Sequence, residues 1–327
     1  MMLALVAALA QSLAQPVAQH EEDAPPPAPA PHAAAVSGSV LSPLAVRANF
    51  AEAMLDVAER QLVFDRASEA VTLSGRAAQG GLMFGETAPG STVRLDGEPV
   101  MVGEDGRFVI GFGREHPASA LLVVTLPGGS VERVALEIEK RDFPVQRIDG
   151  LDQSMVSGFT EEQLKKIAAD REKKTAARAE THRLADWAGG FDWPATGRIS
   201  GVFGSQRILN GEPKTPHSGL DIAAPTGAPV KAPAAGIVRL AEHGMYFEGG
   251  LVFLDHGHWL ESAFLHLSRI DVVPGQRVEK GEIIGAIGAT GRATGPHLHW
   301  SLKWGARLVD PFLVLPEQPA AAPAAGR

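Results

Sequence analysis

The chain has 327 residues, a formal net charge of −8 and no cysteine. That length allows about two domains of ordinary size, and the missing cysteine excludes a disulfide framework and a cysteine-borne lipid anchor. The acidic balance, with no basic stripe, gives no support for a nucleic-acid partner, and no apolar run reaches the roughly 18 residues that span a bilayer, so no stable transmembrane anchor is expected.

Residues 1–18 open Met1-Met2-Leu3-Ala4-Leu5-Val6-Ala7-Ala8-Leu9-Ala10, an apolar run followed by small residues. That pattern predicts a signal peptide, cleaved after Ala14 or Ala18, and hence export to the periplasm or cell envelope, although the usual positive n-region is missing. Residues 19–44 are acidic and then Ala/Pro-rich, the composition of an extended linker. Residues 45–150 are expected to form a small β domain behind one short helix between Ala45 and Arg60. Within it, Val71–Gly75, Ser91–Leu95 and Arg107–Ile110 read as short strands, and Asp96-Gly97, Glu104-Asp105-Gly106 and Pro127-Gly128-Gly129 supply the turns. Such regular short strands predict a β-sandwich.

A charge-laced connecting helix is expected over 158–190. Thr160-Glu161-Glu162-Gln163 opens it with a capping box, Glu161/Lys165, Glu162/Lys166 and Asp170/Lys174 stand at helical spacing, and Gly189-Gly190 closes it. Residues 191–315 return to strands crowded with Gly and Pro, including Gly236–Leu240, Leu251–Leu254 and Glu282–Ile287. They read as an antiparallel sheet or barrel-like domain, and 316–327 as a tail. The fold class is thus mainly β.

Chemistry concentrates in this last domain, in Pro216-His217-Ser218-Gly219-Leu220-Asp221, Phe264-Leu265-His266-Leu267-Ser268 and Gly295-Pro296-His297-Leu298-His299-Trp300. Imidazoles and a carboxylate suit zinc, and a hydrolytic zinc keeps one position open. On a straight strand His217 and Asp221 stand roughly 13 Å apart, so they share a metal only if the chain bends at Ser218-Gly219. His297 and His299, two apart on a strand, project from one face while Leu298 and Trp300 enter the core. His266 is placed to stand opposite them. Zinc held by such donors lowers the bound-water pKa toward about 7, and histidine can carry the proton. His256 and His258 read as hairpin residues around Gly257. Arg207 and Asn210 are candidate groove residues, or merely solvated.

These three segments resemble the motifs of the lysostaphin-like, LytM-type zinc endopeptidases. The likeness extends through Gly227-Ala228-Pro229-Val230, Asp255-His256-Gly257, Val273-Pro274-Gly275 and Thr290-Gly291-Arg292, and covers about Gly197 to Pro311. The resemblance implies a zinc metalloendopeptidase acting on peptidoglycan peptides, with His217, Asp221 and His299 as metal ligands and His266 and His297 as the catalytic pair. Phe264 departs from the tyrosine of many relatives, which removes a possible hydroxyl contact with substrate. Two rival readings remain. One is a catalytically silent LytM-type regulator or activator of cell-wall hydrolases; members of that kind typically have degraded metal motifs, whereas all five positions are present here. The other is a biotinyl-type carrier barrel, suggested by Val278-Glu279-Lys280-Gly281, which leaves the histidines unexplained. A regulatory protein partner is a further expectation.

Overall fold

The computed structural model describes residues 66–67, 70–149 and 159–317. The expected signal peptide, linker, leading helix and nearly all of the tail lie outside the described residues. The chain is mainly β, as its composition and turn pattern predict. No described helix is long and apolar enough to cross a membrane.

The first eight strands are β1 (Arg66–Ala67), β2 (Val71–Gly75), β3 (Leu82–Thr87), β4 (Thr92–Leu95), β5 (Glu98–Val100), β6 (Arg107–Gly111), β7 (Ser119–Thr125) and β8 (Val131–Glu137). They form two antiparallel sheets, ordered β1-β2-β3-β6 and β5-β4-β7-β8. Burial alternates along β2 and β4, and the inward residues Leu73, Leu82, Val93, Leu122 and Leu136 join one core. Asp96 and Gly97 both adopt positive φ in the two-residue turn between β4 and β5, which is why Asp-Gly stands there.

Strand β9 (Val145–Ile148) leads to helix α1 (Glu161–Ala177). The capping box forms: Thr160 Oγ1 accepts the Gln163 N–H at 3.2 Å, and Gln163 Oε1 accepts the Thr160 N–H at 2.8 Å. The helix stops at Ala177, well short of Gly189-Gly190. There Arg178 leaves the helical path to hold the half-buried Glu261 with two nitrogens, its guanidinium 4.0 Å from the Phe253 ring centre. Asp186–Gly189 is a separate 3-10 turn. Of the three expected pairs only Glu161–Lys165 forms, at 2.7 Å. Lys166 turns to Asp170, and Lys174 reaches across to Glu248. Lys166–Asp170 keeps the helical spacing with a different partner, and only Lys174 has its partner decided by the neighbouring sheet.

The remaining strands are β10 (Arg198–Gly201), β11 (Gln206–Leu209), β12 (Glu212–Pro213), β13 (Leu220–Ala223), β14 (Pro229–Lys231), β15 (Gly236–Met245), β16 (Gly249–Asp255) and β17 (Leu260–Leu265). They continue with β18 (Arg269–Ile270), β19 (Arg277–Val278), β20 (Ile283–Ala286), β21 (His297–Trp304) and β22 (Arg307–Val309). The main sheet is antiparallel, in the order β10-β13-β21-β17-β16-β15-β19, with β22 on β21. One face buries Ile222, Val238, Leu254, Phe264, Leu298 and Trp300. On the other, Leu240, Met245, Leu251, Phe253 and Ala263 form a smaller cluster against Ala177 of α1. Strand β9 pairs in parallel with β11. The sandwich is fastened to this domain by Arg141 on the buried Asp310 at 2.8 Å, and by the Arg114 Nε–H on the Gly204 carbonyl at 2.9 Å.

His256 is fully buried beneath the sheet, so it is a core group as well as a hairpin residue. Its Nδ1–H donates to the Ala235 carbonyl at 2.7 Å, and its Nε2 accepts from the Ser262 hydroxyl at 2.7 Å. Ser262 Oγ in turn accepts the Trp300 indole N–H at 3.0 Å. The chain of bonds requires a neutral ring. Burial, offset only in part by the Ala235 carbonyl and nearby carboxylates, pushes the His256 pKa down to about 4. In the unfolded chain it is about 6.5. Below pH 6.5 the unfolded state therefore binds a proton that the folded state refuses, and this stability is complete above pH 6.5 and lost as pH falls toward 4. The difference is about 3 kcal/mol. Urea unfolding at pH 7 and pH 4 is expected to show that much more acid loss in the wild type than in His256→Gln; equal losses would contradict it.

Candidate metal centre

Strand β21 carries His297 and His299 on one face, while Leu298 and Trp300 are fully buried on the other. Its neighbour β13 aligns Asp221 opposite His299 and Ala223 opposite His297. Side chains directly opposite on one face of an antiparallel pair meet, and Asp221 Oδ1 lies 2.8 Å from His299 Nδ1. His217 joins them because the chain bends at Gly219, just before β13 begins. Its Nε2 lies 3.0 Å from Asp221 Oδ1 and 3.1 Å from His299 Nδ1. The expected kink is present, but Gly219 is needed less for its backbone angles than for close approach. A Cβ there would stand 2.2 Å from the Trp300 carbonyl oxygen. Gly201 is similar: its Cβ would stand 2.4 Å from Asp221 Oδ2. Gly219→Ala is expected to destabilise the fold by several kcal/mol, because only backbone can give way; a thermal midpoint within a degree of wild type would contradict this.

Three donor atoms thus face one point, each within 3.1 Å of the others. Their far sides are held too. His217 Nδ1–H donates to the Val202 carbonyl at 3.0 Å, and His299 Nε2 pairs with the Ser218 hydroxyl at 3.2 Å. Fixing the outer nitrogen orients the inner one, as in metal-bound histidines generally. Two imidazole nitrogens and one carboxylate oxygen are a zinc-type donor set that leaves room for a fourth ligand, so the residues fit the metal. Burial disfavours charge at both His217 and Asp221, but their mutual hydrogen bond outweighs it: the His217 pKa is raised and that of Asp221 is lowered. For the more deeply buried His299, desolvation prevails over Asp221 and the pKa is lowered.

His266 and His297 stand beside this group with ring centres 4.7 Å apart. His297 Nδ1–H donates to the Gly295 carbonyl at 2.8 Å, and its Nε2 lies 3.9 Å from Asp221 Oδ1. His266 is not within the strand but just past the end of β17, at φ +66°. A non-glycine residue held there is characteristic of a constrained functional position. Its backbone N–H donates to the Glu248 carbonyl at 2.8 Å, and its Nδ1–H to the Thr290 carbonyl at 2.8 Å. Burial holds its pKa below the ordinary histidine value.

Phe264 is fully buried and paired with Trp300, so its departure from tyrosine lies in the core and not in a substrate groove. Arg207 is exposed on β11, and Asn210 forms the hairpin tip at φ +49°. The carbonyls of Val202, Glu248, Thr290 and Gly295 carry no side-chain signature, so the sequence gives no sign that they orient the histidines.

The model of peptidase family M23 matches residues 215–311. A crystal structure of an M23 peptidase from Pseudomonas aeruginosa is 34% identical, covering 73% of this chain and 95% of that one, with a TM-score of 0.56. The chain belongs to peptidase family M23. Among curated M23-like relatives, the peptidoglycan DD-endopeptidase ShyA of Vibrio cholerae is 42% identical over 109 residues, which is 32% of this chain and 24% of ShyA. The cell division protein DipM of Caulobacter vibrioides is 36% identical over 147 residues, 43% of this chain and 23% of DipM. The likeness thus spans about a quarter of the length of these relatives.

Proposed function

We propose that this M23 protein is a zinc-dependent endopeptidase that hydrolyses peptide bonds in peptidoglycan, in the periplasm or cell envelope. His217 Nε2, Asp221 Oδ1 and His299 Nδ1 hold the metal. The observation that carries the reading is the convergence of these atoms within 3.1 Å, with His266 and His297 alongside. Zinc bound there supplies Lewis acidity and lowers the pKa of water. The two Nδ1–H groups are committed to backbone carbonyls, which leaves Nε2 of His266 and His297 as the atoms that take and return a proton. A neutral His266, favoured by burial, accepts a proton at neutral pH. Once protonated, either ring steadies negative charge developing on the scissile carbonyl oxygen.

A silent regulator needs none of this, so the intact set favours the enzyme. Mass spectrometry of muropeptides released from purified walls tests the proposal: peptide-bond cleavage products are expected with zinc and absent after chelation. Release of none by zinc-loaded protein would favour the regulator.

A further inference from the structure

We infer that helix α1 is part of the catalytic machinery of this domain, with Asp170 and Lys174 acting as positioning residues for His266. The inference rests on the zinc-peptidase reading above. Asp170 is a helical carboxylate only 3% exposed, a costly placement unless the charge is used. One oxygen meets Lys166 of its own helix; the other accepts the backbone N–H of Tyr246 at 2.7 Å. One turn on, Lys174 reaches the half-buried Glu248. The helix therefore grips both ends of Tyr246-Phe247-Glu248, the turn between β15 and β16.

That turn builds the far side of the catalytic pair. The Glu248 carbonyl accepts the N–H of His266, the residue that stands at φ +66°. The Phe247 carbonyl accepts the Arg292 N–H at 2.9 Å, and the Gly250 N–H donates to Thr290 Oγ1 at 2.8 Å. Both bonds fix the segment whose Thr290 carbonyl receives His266 Nδ1–H. The backbone of His266 is thus attached to the turn directly, and its Nδ1 partner through Arg292, with Gly250 of β16 and the Leu267 carbonyl also holding Thr290; α1 fixes that turn. None of the three metal ligands is attached to it: His217 leans on Val202, His299 on Ser218, and Asp221 on β13. Loosening the helix should therefore disturb the proton carrier and spare the metal.

The test compares full-length wild type with Asp170→Ala, Asp170→Asn and Lys174→Ala. Three quantities are read: bound zinc, amide exchange at Tyr246 and His266, and kcat and KM on cross-linked muropeptides. In Asp170→Ala, exchange at both amides is expected to rise at least about tenfold. Its kcat should fall by about tenfold to a hundredfold, with KM within twofold and zinc at the wild-type level. Asp170→Asn keeps an oxygen for the Tyr246 N–H and should recover most of the loss. Lys174→Ala should move the same way to a smaller extent, and it decides alone if Asp170→Ala does not fold. Unchanged His266 exchange and kcat, or zinc lost in step with activity, would overturn the inference. If the wild type cleaves nothing, the proposed function fails, while His266 exchange still decides whether the helix positions that residue.

Discussion

Replacing His217 with alanine is expected to abolish both zinc binding and wall cleavage. The ring supplies one of three donor atoms and is aimed by the Val202 carbonyl. Removal leaves His299 and Asp221, too few to hold a catalytic zinc. Loss of the metal removes the charge that stabilises the transition state, so cleavage should fall by at least about a thousandfold, equivalent to roughly 4 kcal/mol. His217 lies outside any strand and is partly exposed, so the fold should survive. The paired measurements are zinc content and digestion of purified walls. Equal cleavage by variant and wild type would remove the zinc-enzyme reading.

His297→Ala should behave differently. Its Nε2 lies 3.9 Å from Asp221 Oδ1, farther than the atoms of the three-donor group are from one another, and its Nδ1 is committed to the Gly295 carbonyl. Zinc content should therefore stay at the wild-type level. Turnover should collapse by about a hundredfold to ten-thousandfold, the usual contribution of a positioned acid–base group. The contrast with His217→Ala separates proton carrier from ligand at two residues of the same type. Loss of zinc in the His297 variant would overturn that division.

The residue patterns of β13 and β21 made the centre of this site legible. Strand alternation places His297 and His299 together and sends Leu298 and Trp300 inward, and the His217/Asp221 spacing demands a bend that Gly219 supplies. The strand Val71–Gly75 was equally readable from its period-two burial, and Arg107–Ile110 from its apolar run after the Asp105-Gly106 turn, although its burial does not alternate. Long-range contacts were not. The helix pairs at i and i+4 looked satisfied within the helix, yet Lys174 leaves its candidate partner for Glu248, 74 residues away. Asp170 reads as an ordinary solvated residue until the Tyr246 N–H is brought against it. His256 gives no local sign that it is buried, since its partners are Ala235, just before β15, and Ser262 of β17. The parallel pairing of β9 with β11 joins segments about 60 residues apart, and no short pattern encodes it.

The most direct test is the position of zinc in crystals of the metal-loaded full-length protein, located by anomalous scattering at the zinc edge. One peak is predicted about 2.0–2.2 Å from His217 Nε2, His299 Nδ1 and Asp221 Oδ1, with His266 and His297 outside bonding distance. A peak that excludes Asp221, or one coordinated by His266 or His297, would contradict the account.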